Sequence, residues 1–242
     1  MSSGINIRNT ITESVELIWI CTQPDLQIKI INTLTNSEST KIIIEKPISS
    51  DNLINNKLKE IFLKQRNLFI SRPWNFSPIW INFKKEINAT NKIEKLIVMH
   101  YGEVLRNHIN PPQDWLHHDL CLILDLGFNF EDVEVVKNWS EDRQNLQIQF
   151  NQNMHFDISG GYRPNRKSSF IIENQSNTKF ELDLNNGVFS ILRSTGEEMV
   201  SKFQNSNSIT IMVKYFQDLL INKKSYETEK DYLQILGLLS ID

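Results

Sequence analysis

Residues 15–47 read VELIWICTQPDLQIKIINTLTNSESTKIIIEKP, and the order of apolar runs in this stretch decides the fold. Val15 to Cys21 is a nearly continuous apolar run rich in β-branched and aromatic residues, the pattern of a strand covered on both faces. Thr22-Gln23-Pro24 ends it. From Asp25, a side chain suited to cap a helix, Leu26, Ile30, Ile31 and Leu34 recur at helical spacing until the polar stretch Asn36 to Thr40. Lys41 to Ile44 then predicts a second buried strand. Strand, helix and strand in this order predict a βαβ unit and hence a parallel sheet.

Working outward, Asp51 to Lys64 predicts another helix and Asn67 to Ile70 another short strand, so the alternation continues for about one more unit. The pattern changes near Pro73 to Pro78. Beyond residue 92, Glu94 to Val104, Val133 to Trp139, Leu146 to Ser159, Ser168 to Glu173 and Lys179 to Leu184 are strand-like and separated by polar turns, which predicts a mostly antiparallel sheet. One long helix, Trp115 to Leu126, interrupts it and ends at Gly127, and two more helices, Ser208 to Leu220 and Glu227 to Leu239, close the chain. The expected fold class is α/β: a truncated Rossmann-like parallel sheet over residues 1–91, followed by an α+β domain with a large, mostly antiparallel open sheet over 92–242.

With 242 residues, 40% of them hydrophobic and 23% charged, the chain has ample material for a packed core, which excludes disordered and fibrous classes. A net charge of -3 gives no footprint for nucleic acid, and Arg163, Arg166 and Lys167 are expected to be solvated turn residues. No run approaches the roughly 20 apolar residues of a membrane span, and Met1 to Thr12 has neither the basic nor the apolar part of a signal peptide. No membrane partner and a cytoplasmic location are expected. The two cysteines, Cys21 and Cys121, lie in apolar stretches and are expected to be buried, and without a Cys/His cluster no metal is expected.

Two constellations carry chemistry. Glu45-Lys46-Pro47 directly follows a parallel strand, and ligands of open parallel sheets bind beyond the carboxyl ends of the strands. Proline holds Lys46 extended and helps to aim its ammonium group; the plain alternative is a surface turn with a Glu-Lys pair. The second is Asp114-Trp115-Leu116-His117-His118-Asp119 at the start of a helix whose circumference is mostly apolar. Asp114, His118, Cys121 and Asp125 fall three or four residues apart and predict one polar stripe facing a cleft. The plain alternatives are an N-cap for Asp114 and a satisfied core histidine for His118. Together, a lysine at a strand end and an Asp-x-x-x-His on a helix supply the parts for taking a proton from an alcohol: a base, a carboxylate to orient it and a cation for the developing alkoxide. The reading requires Lys46 and His118 to converge on one small alcohol.

The ordered pair of motifs resembles the Gfo/Idh/MocA oxidoreductases, the glucose-fructose oxidoreductase and inositol dehydrogenase type. Ile18 to Pro24 is similar to the family's fourth cofactor-domain strand with its Thr-Pro turn, Ile43 to Pro47 to its Glu-Lys-Pro signature, and Asp114-x-x-x-His118-Asp119 to its downstream Asp-x-x-x-His motif. The resemblance covers nearly the whole chain. It implies hydride transfer between NAD or NADP and a hydroxyl carbon of a sugar, sugar derivative or inositol. It also implies a homo-oligomer formed through the C-terminal sheet. It assigns Lys46 as the catalytic lysine, His118 as the general acid/base and Asp114 as the carboxylate beside it; Thr22, Pro24, Glu45 and Pro47 match positions lining the nicotinamide and its ribose. Gln27 stands where the family commonly has a histidine after the Thr-Pro turn.

None of the eight glycines forms the G-x-G-x-x-G turn that grips a pyrophosphate at a helix N-terminus, and Met1 to Thr12 leads almost directly into the fourth strand. Three explanations stand side by side: a missing N-terminal segment, a partner chain that supplies the other Rossmann half, or a family relic acting as a sugar-binding or assembly module. The first two predict an active oxidoreductase and the third a non-catalytic one.

Overall fold

The computed structural model describes residues 15–34, 40–46, 60–61, 68–88, 92–105, 110–130, 133–142, 144–151, 154–203, 208–221 and 230–239. The chain divides into two compact units, Met1–Ser71 with Tyr215–Asp242, and Arg72–Lys214.

In the first unit the strands β1 (Leu17–Ile20), β2 (Lys41–Ile44) and β3 (Leu68–Ile70) form a parallel sheet in that order, and the helix α1 (Pro24–Leu34) connects the first two. Leu17 pairs with Lys41 and Ile20 with Ile44, so the strands end in step. Ile42, Ile43, Ile44, Leu68, Phe69 and Ile70 are buried on both faces of the sheet, as continuous apolar runs require. Each such side chain contributes about 1.5–3 kcal/mol by leaving water. β1 lies at the end of the described strand order, and accordingly Leu17, Ile18 and Trp19 are only half-buried. Of the helix expected over Asp51 to Lys64, residues 60 and 61 are helical, and the rest lies outside the described residues, as do Met1 to Thr12 and Pro47.

The second unit is built on an eight-stranded sheet in the order β11-β10-β9-β8-β4-β7-β6-β5. Its strands are β4 (Ile93–Gly102), β5 (Glu134–Trp139), β6 (Asn145–Asn151), β7 (His155–Tyr162), β8 (Lys167–Asn174), β9 (Lys179–Asp183), β10 (Val188–Leu192) and β11 (Glu198–Lys202). Every neighbouring pair is antiparallel except β4 and β7. The expected single strand Leu146 to Ser159 is two strands, β6 and β7, which pair with each other across Asn151↔His155. β10 and β11 extend the sheet beyond the strands expected from sequence.

Before the sheet, a 3-10 turn (Pro73–Phe76) leads into a helix that the sequence reading did not include, α2 (Pro78–Asn88). Ile79, Trp80, Phe83 and Ile87 form its buried side, with Trp80 against Phe170 and Phe83 against Phe189 at centroid separations of 5.5 and 5.9 Å. These contacts place residues 78–88 with the second unit. The other core helix, α3 (Pro111–Asp125), packs on β4, β6 and β7. It begins four residues before the expected Trp115, because Asn110 is extended ahead of Pro111 and proline is well placed in a first turn. It ends as expected: Gly127 takes φ 89° and its N–H bonds Leu124 O, while the Phe128 N–H reaches back to Ile123 O.

Glycines under α3 set its distance from the sheet. A Cβ on Gly160 would lie 2.4 Å from Leu116 Cδ2 and 2.6 Å from the His100 carbonyl oxygen. The carbonyl belongs to a paired strand and has no room to retreat. Gly160→Ala is therefore expected to cost about 2 kcal/mol, within the usual range for overpacking, readable as a lower urea midpoint.

The helices α4 (Ser208–Ile221) and α5 (Lys230–Leu238) follow close to their expected positions. Phe216 of α4 packs on Phe69 of β3 at 5.4 Å, and Tyr232 and Ile235 of α5 are fully buried. Among the described residues, no helix is long and apolar enough to cross a membrane.

Candidate active-site elements

At the carboxyl ends of the first unit's strands, one carboxylate ties the sheet together. Glu45 follows β2, and its Oε1 accepts hydrogen bonds from Trp19 Nε1 of β1 at 3.0 Å and from Ser71 Oγ after β3 at 2.7 Å. The Glu45 and Ser71 N–H groups extend the ladders to Ile20 and Ile44 O. Gln27 of α1 is buried and donates from Nε2 to the carbonyls of Thr22 and Glu45 at 2.9 and 3.0 Å. The amide that stands in place of a histidine thus fixes the two turns that follow β1 and β2. Lys46 comes next in the chain, half-buried, on this anchored edge.

Two buried oxygens here, the Thr22 hydroxyl Oγ1 and the amide Gln27 Oε1, have no partner among the described residues. Unpaired buried polar atoms are costly, about 1–3 kcal/mol each, and therefore mark places where a ligand or water belongs. Thr22, Glu45 and Lys46 are thus carried together on the carboxyl edge of the parallel sheet. Pro24 opens α1, and nothing of its side chain is described; Pro47 falls outside the described residues.

In the second unit, α3 carries Asp114 and His118 one turn apart. Asp114 is buried, 7% exposed, and lies in the first turn, where the helix dipole favours a negative charge. The cap position belongs to Asn110, so Asp114 is not the N-cap. His118 is half-buried and stacks on Trp74 of the 3-10 turn at 4.9 Å.

The far end of the expected polar stripe does something else. Asp125 accepts from Trp80 Nε1 and Lys84 Nζ, both at 2.7 Å, and the Cys121 carbonyl accepts from Asn75 Nδ2. These two positions clamp α2 and the 3-10 turn to α3, the Asp125 carboxylate being reached by an indole N–H and an ammonium together.

Sequence reading missed the most buried polar contact in this unit. His100 of β4 and Asp119 of α3 are both fully buried, with Nδ1 and Oδ2 2.6 Å apart. His100 also stacks on Trp74 at 5.3 Å and lies 5.4 Å from Trp115. His100 Nε2, Asp119 Oδ1 and Trp115 Nε1 have no partner among the described residues. Asp119 was visible in the Asp-x-x-x-His-Asp motif, whereas a lone histidine in the middle of a strand carries no signal. His100 of the buried pair and His118 both stack on the Trp74 ring, so the pair helps to hold the indole on which the half-buried imidazole rests.

Cys21 corrects another expectation: it is exposed, and only Cys121 is buried. It lies just past the end of β1, where the chain emerges from the sheet. Residual burial pushes the Cys21 thiol up, and the nearby Glu45 carboxylate adds to the shift by disfavouring a thiolate. Less thiolate at a given pH means slower attack. Iodoacetamide labelling of Cys21 at pH 8, followed by peptide mass spectrometry, should be slower in the native chain than in urea, and Glu45→Gln should accelerate it.

No protein-family model and no curated protein matches the sequence. Solved structures do match the fold. A UDP-N-acetylglucosamine 3-dehydrogenase from Acidithiobacillus ferrooxidans superposes with a TM-score of 0.75 at 15% identity, over 93% of this chain and 76% of that one. For a Gfo/Idh/MocA family oxidoreductase from Vibrio cholerae the TM-score is 0.72 at 13% identity, over 96% and 78% of the two chains. A 3-ketoreductase from Actinomadura kijaniata, in complex with TDP-benzene and NADP, gives 0.76 at 11% identity, over 97% and 78%. The chain therefore has the fold of the Gfo/Idh/MocA oxidoreductase structures, the fold that its two ordered motifs resemble.

Proposed function

We propose that the chain belongs to the Gfo/Idh/MocA oxidoreductases and transfers a hydride between NAD or NADP and a hydroxyl carbon of a sugar, sugar derivative or inositol. The observation that carries the reading is Glu45: its carboxylate gathers Trp19 and Ser71 at the carboxyl edge of the parallel sheet, and so presents Lys46 where open α/β sheets bind ligands. The residues present fit the nicotinamide-ribose end of such a cofactor. Thr22 Oγ1 and Gln27 Oε1 are buried without partners among the described residues, and Thr22, Pro24, Glu45 and Pro47 are the positions proposed to line it. Bound there, the nicotinamide supplies or accepts the hydride.

The roles of the chain's own residues follow from their chemistry. His118 takes the hydroxyl proton during oxidation and returns it during reduction, and Asp114, one turn away, orients it. The Lys46 ammonium donates to the substrate oxygen and stabilises the charge that develops on it. A homo-oligomer fits the same reading. Val200 and Met199 on β11, the last strand of the described sheet, and Leu192 on β10 are 60, 38 and 44% exposed, and a sheet edge with exposed apolar side chains can pair with a second copy. Light scattering reads that state.

Cofactor use is tested by fluorescence titration of NADH and NADPH against the purified chain. Saturable binding of either below millimolar concentration is expected, weakened by Thr22→Val. Flat titrations with both would refute an oxidoreductase that works without a partner chain, and would favour the sugar-binding or assembly module.

A further inference from the structure

The second unit contains a cleft of about 550 Å³, within the size range of small-ligand sites, that neither motif of the sequence pointed to. Its polar wall is formed by Ser77, Arg166, Asn185, Asn186 and Ser208, and Trp74 contributes an aromatic face. The remaining lining is apolar or glycine, and among the described residues no carboxylate lines it. We propose that this cleft binds the phosphate-bearing part of a phosphorylated sugar; the proposal rests on the sugar-oxidoreductase reading and names its substrate class.

Three observations carry it. The first is the orientation of Trp74. His100 and His118 both stack on its indole, with interplanar angles of 15 and 24°, yet their rings are only 6.4 Å apart. These separations suit two imidazoles side by side on one face of the indole. One face is left for the cleft, and an indole face packs well against the C–H edge of a sugar ring. The ring that positions His118 on one side therefore forms a wall of the cleft on the other.

The second is Arg166. Its backbone is held on both sides, the N–H donating to Glu103 Oε1 at 2.9 Å and the carbonyl accepting from Asn185 Nδ2 at 3.4 Å. Its guanidinium lies 5.9 Å over the Trp115 ring and makes no ion pair among the described residues. A planar fork of donors, left without a carboxylate beside a cleft that contains none, suits a phosphate.

The third is Asn185. One of its two side-chain N–H groups is directed at Arg166 O, while its Oδ1 is buried with no partner among the described residues. That atom accepts but cannot donate, so it takes a donor such as a sugar hydroxyl. Asn186 is fixed beside it, with Nδ2 donating to Asp183 Oδ2 at 2.6 Å. Anion donor, hydroxyl acceptor and aromatic wall together describe a sugar with a phosphate, carried either as a sugar monophosphate or as the glycosyl part of a nucleoside diphosphate sugar.

Calorimetric titration of the full chain, without any nicotinamide, tests this with glucose, glucose 1-phosphate and UDP-glucose as probes. Glucose 1-phosphate is expected to bind at least tenfold more tightly than glucose. Arg166→Ala should erase that gap and Arg166→Lys should keep part of it. Tighter binding of UDP-glucose than of glucose 1-phosphate identifies a nucleoside diphosphate sugar; equal or weaker binding identifies the monophosphate. Equal affinity for glucose and glucose 1-phosphate, no binding of either phosphorylated probe, or a gap that survives Arg166→Ala would overturn the proposal. If hydride transfer fails while the gap and its dependence on Arg166 remain, the cleft stands and only the redox reading falls.

Discussion

Asp119→Ala is expected to lower the stability of the second unit by about 3 kcal/mol or more, the cost typical of breaking a fully buried polar or ionic pair by removing one member. The argument is local. His100 and Asp119 are both 0% exposed, and the substitution leaves His100 Nδ1 buried with nothing to bond. It also opens a gap between β4 and α3 beneath Trp74. Asp119→Asn keeps the shape and one acceptor, so it should cost about 1 kcal/mol, a typical net hydrogen-bond contribution. Urea unfolding followed by tryptophan fluorescence is a suitable readout, because Trp74, Trp80, Trp115 and Trp139 all belong to the second unit and only Trp19 to the first. With a slope of roughly 1–3 kcal/mol/M for a domain of this size, the Asp119→Ala midpoint should fall by about 1–3 M. An unchanged midpoint would mean that the pair does not hold α3 to the sheet.

The second large effect concerns turnover. His118→Ala and Lys46→Met should each reduce single-turnover hydride transfer by about a hundred- to ten-thousand-fold, the range for a lost general acid/base or oxyanion donor. NAD(P)H affinity should change by less than about threefold, since both groups act on the substrate oxygen in the transition state and not on the ground-state cofactor. The double variant should be little worse than either single one, because residues that act as a unit are not additive. Asp114→Asn should cost less than His118→Ala. Loss of affinity with unchanged turnover would reassign the residue to binding.

Much of the fold was legible in the sequence, for reasons that explain the exceptions. β2 was readable to the residue because Ile42, Ile43 and Ile44 are flanked by polar residues on both sides, and α3 because Gly127 supplies the left-handed stop it needs. The β6–β7 hairpin was merged into one strand because both arms alternate polar and apolar residues in phase across Asn151 to Met154. α2 is not legible because the two prolines, Pro73 and Pro78, suggest a loop, whereas Pro78 opens the helix. β10 and β11 follow tight turns at Asn185 to Gly187 and Arg193 to Gly196, and the five residues of β11 are too polar to be read as a strand.

The candidate site was half legible. Glu45, Lys46, Asp114 and His118 announce themselves through spacing. Their supports do not, because those come from distant parts of the chain: Trp19 and Ser71 each lie 26 residues from Glu45, in opposite directions. Trp74 lies in a segment read as a turn, and His100 in the middle of a strand, so the aromatic backing of His118 emerges only when β4, α3 and the 3-10 turn are assembled. Arg166, expected to be a solvated turn residue, is exposed but lines the cleft.

The most direct measurement of the central claim is isotope transfer. The purified chain is incubated with NADH or NADPH deuterated at the transferring carbon and a panel of keto-sugars, keto-inositols and their phosphates, and the products are read by mass spectrometry. The account predicts deuterium on a single carbinol carbon, reduced to background by Lys46→Met and by His118→Ala. Tight binding of nicotinamide and sugar with no deuterium transferred, or transfer undiminished in either variant, would contradict it.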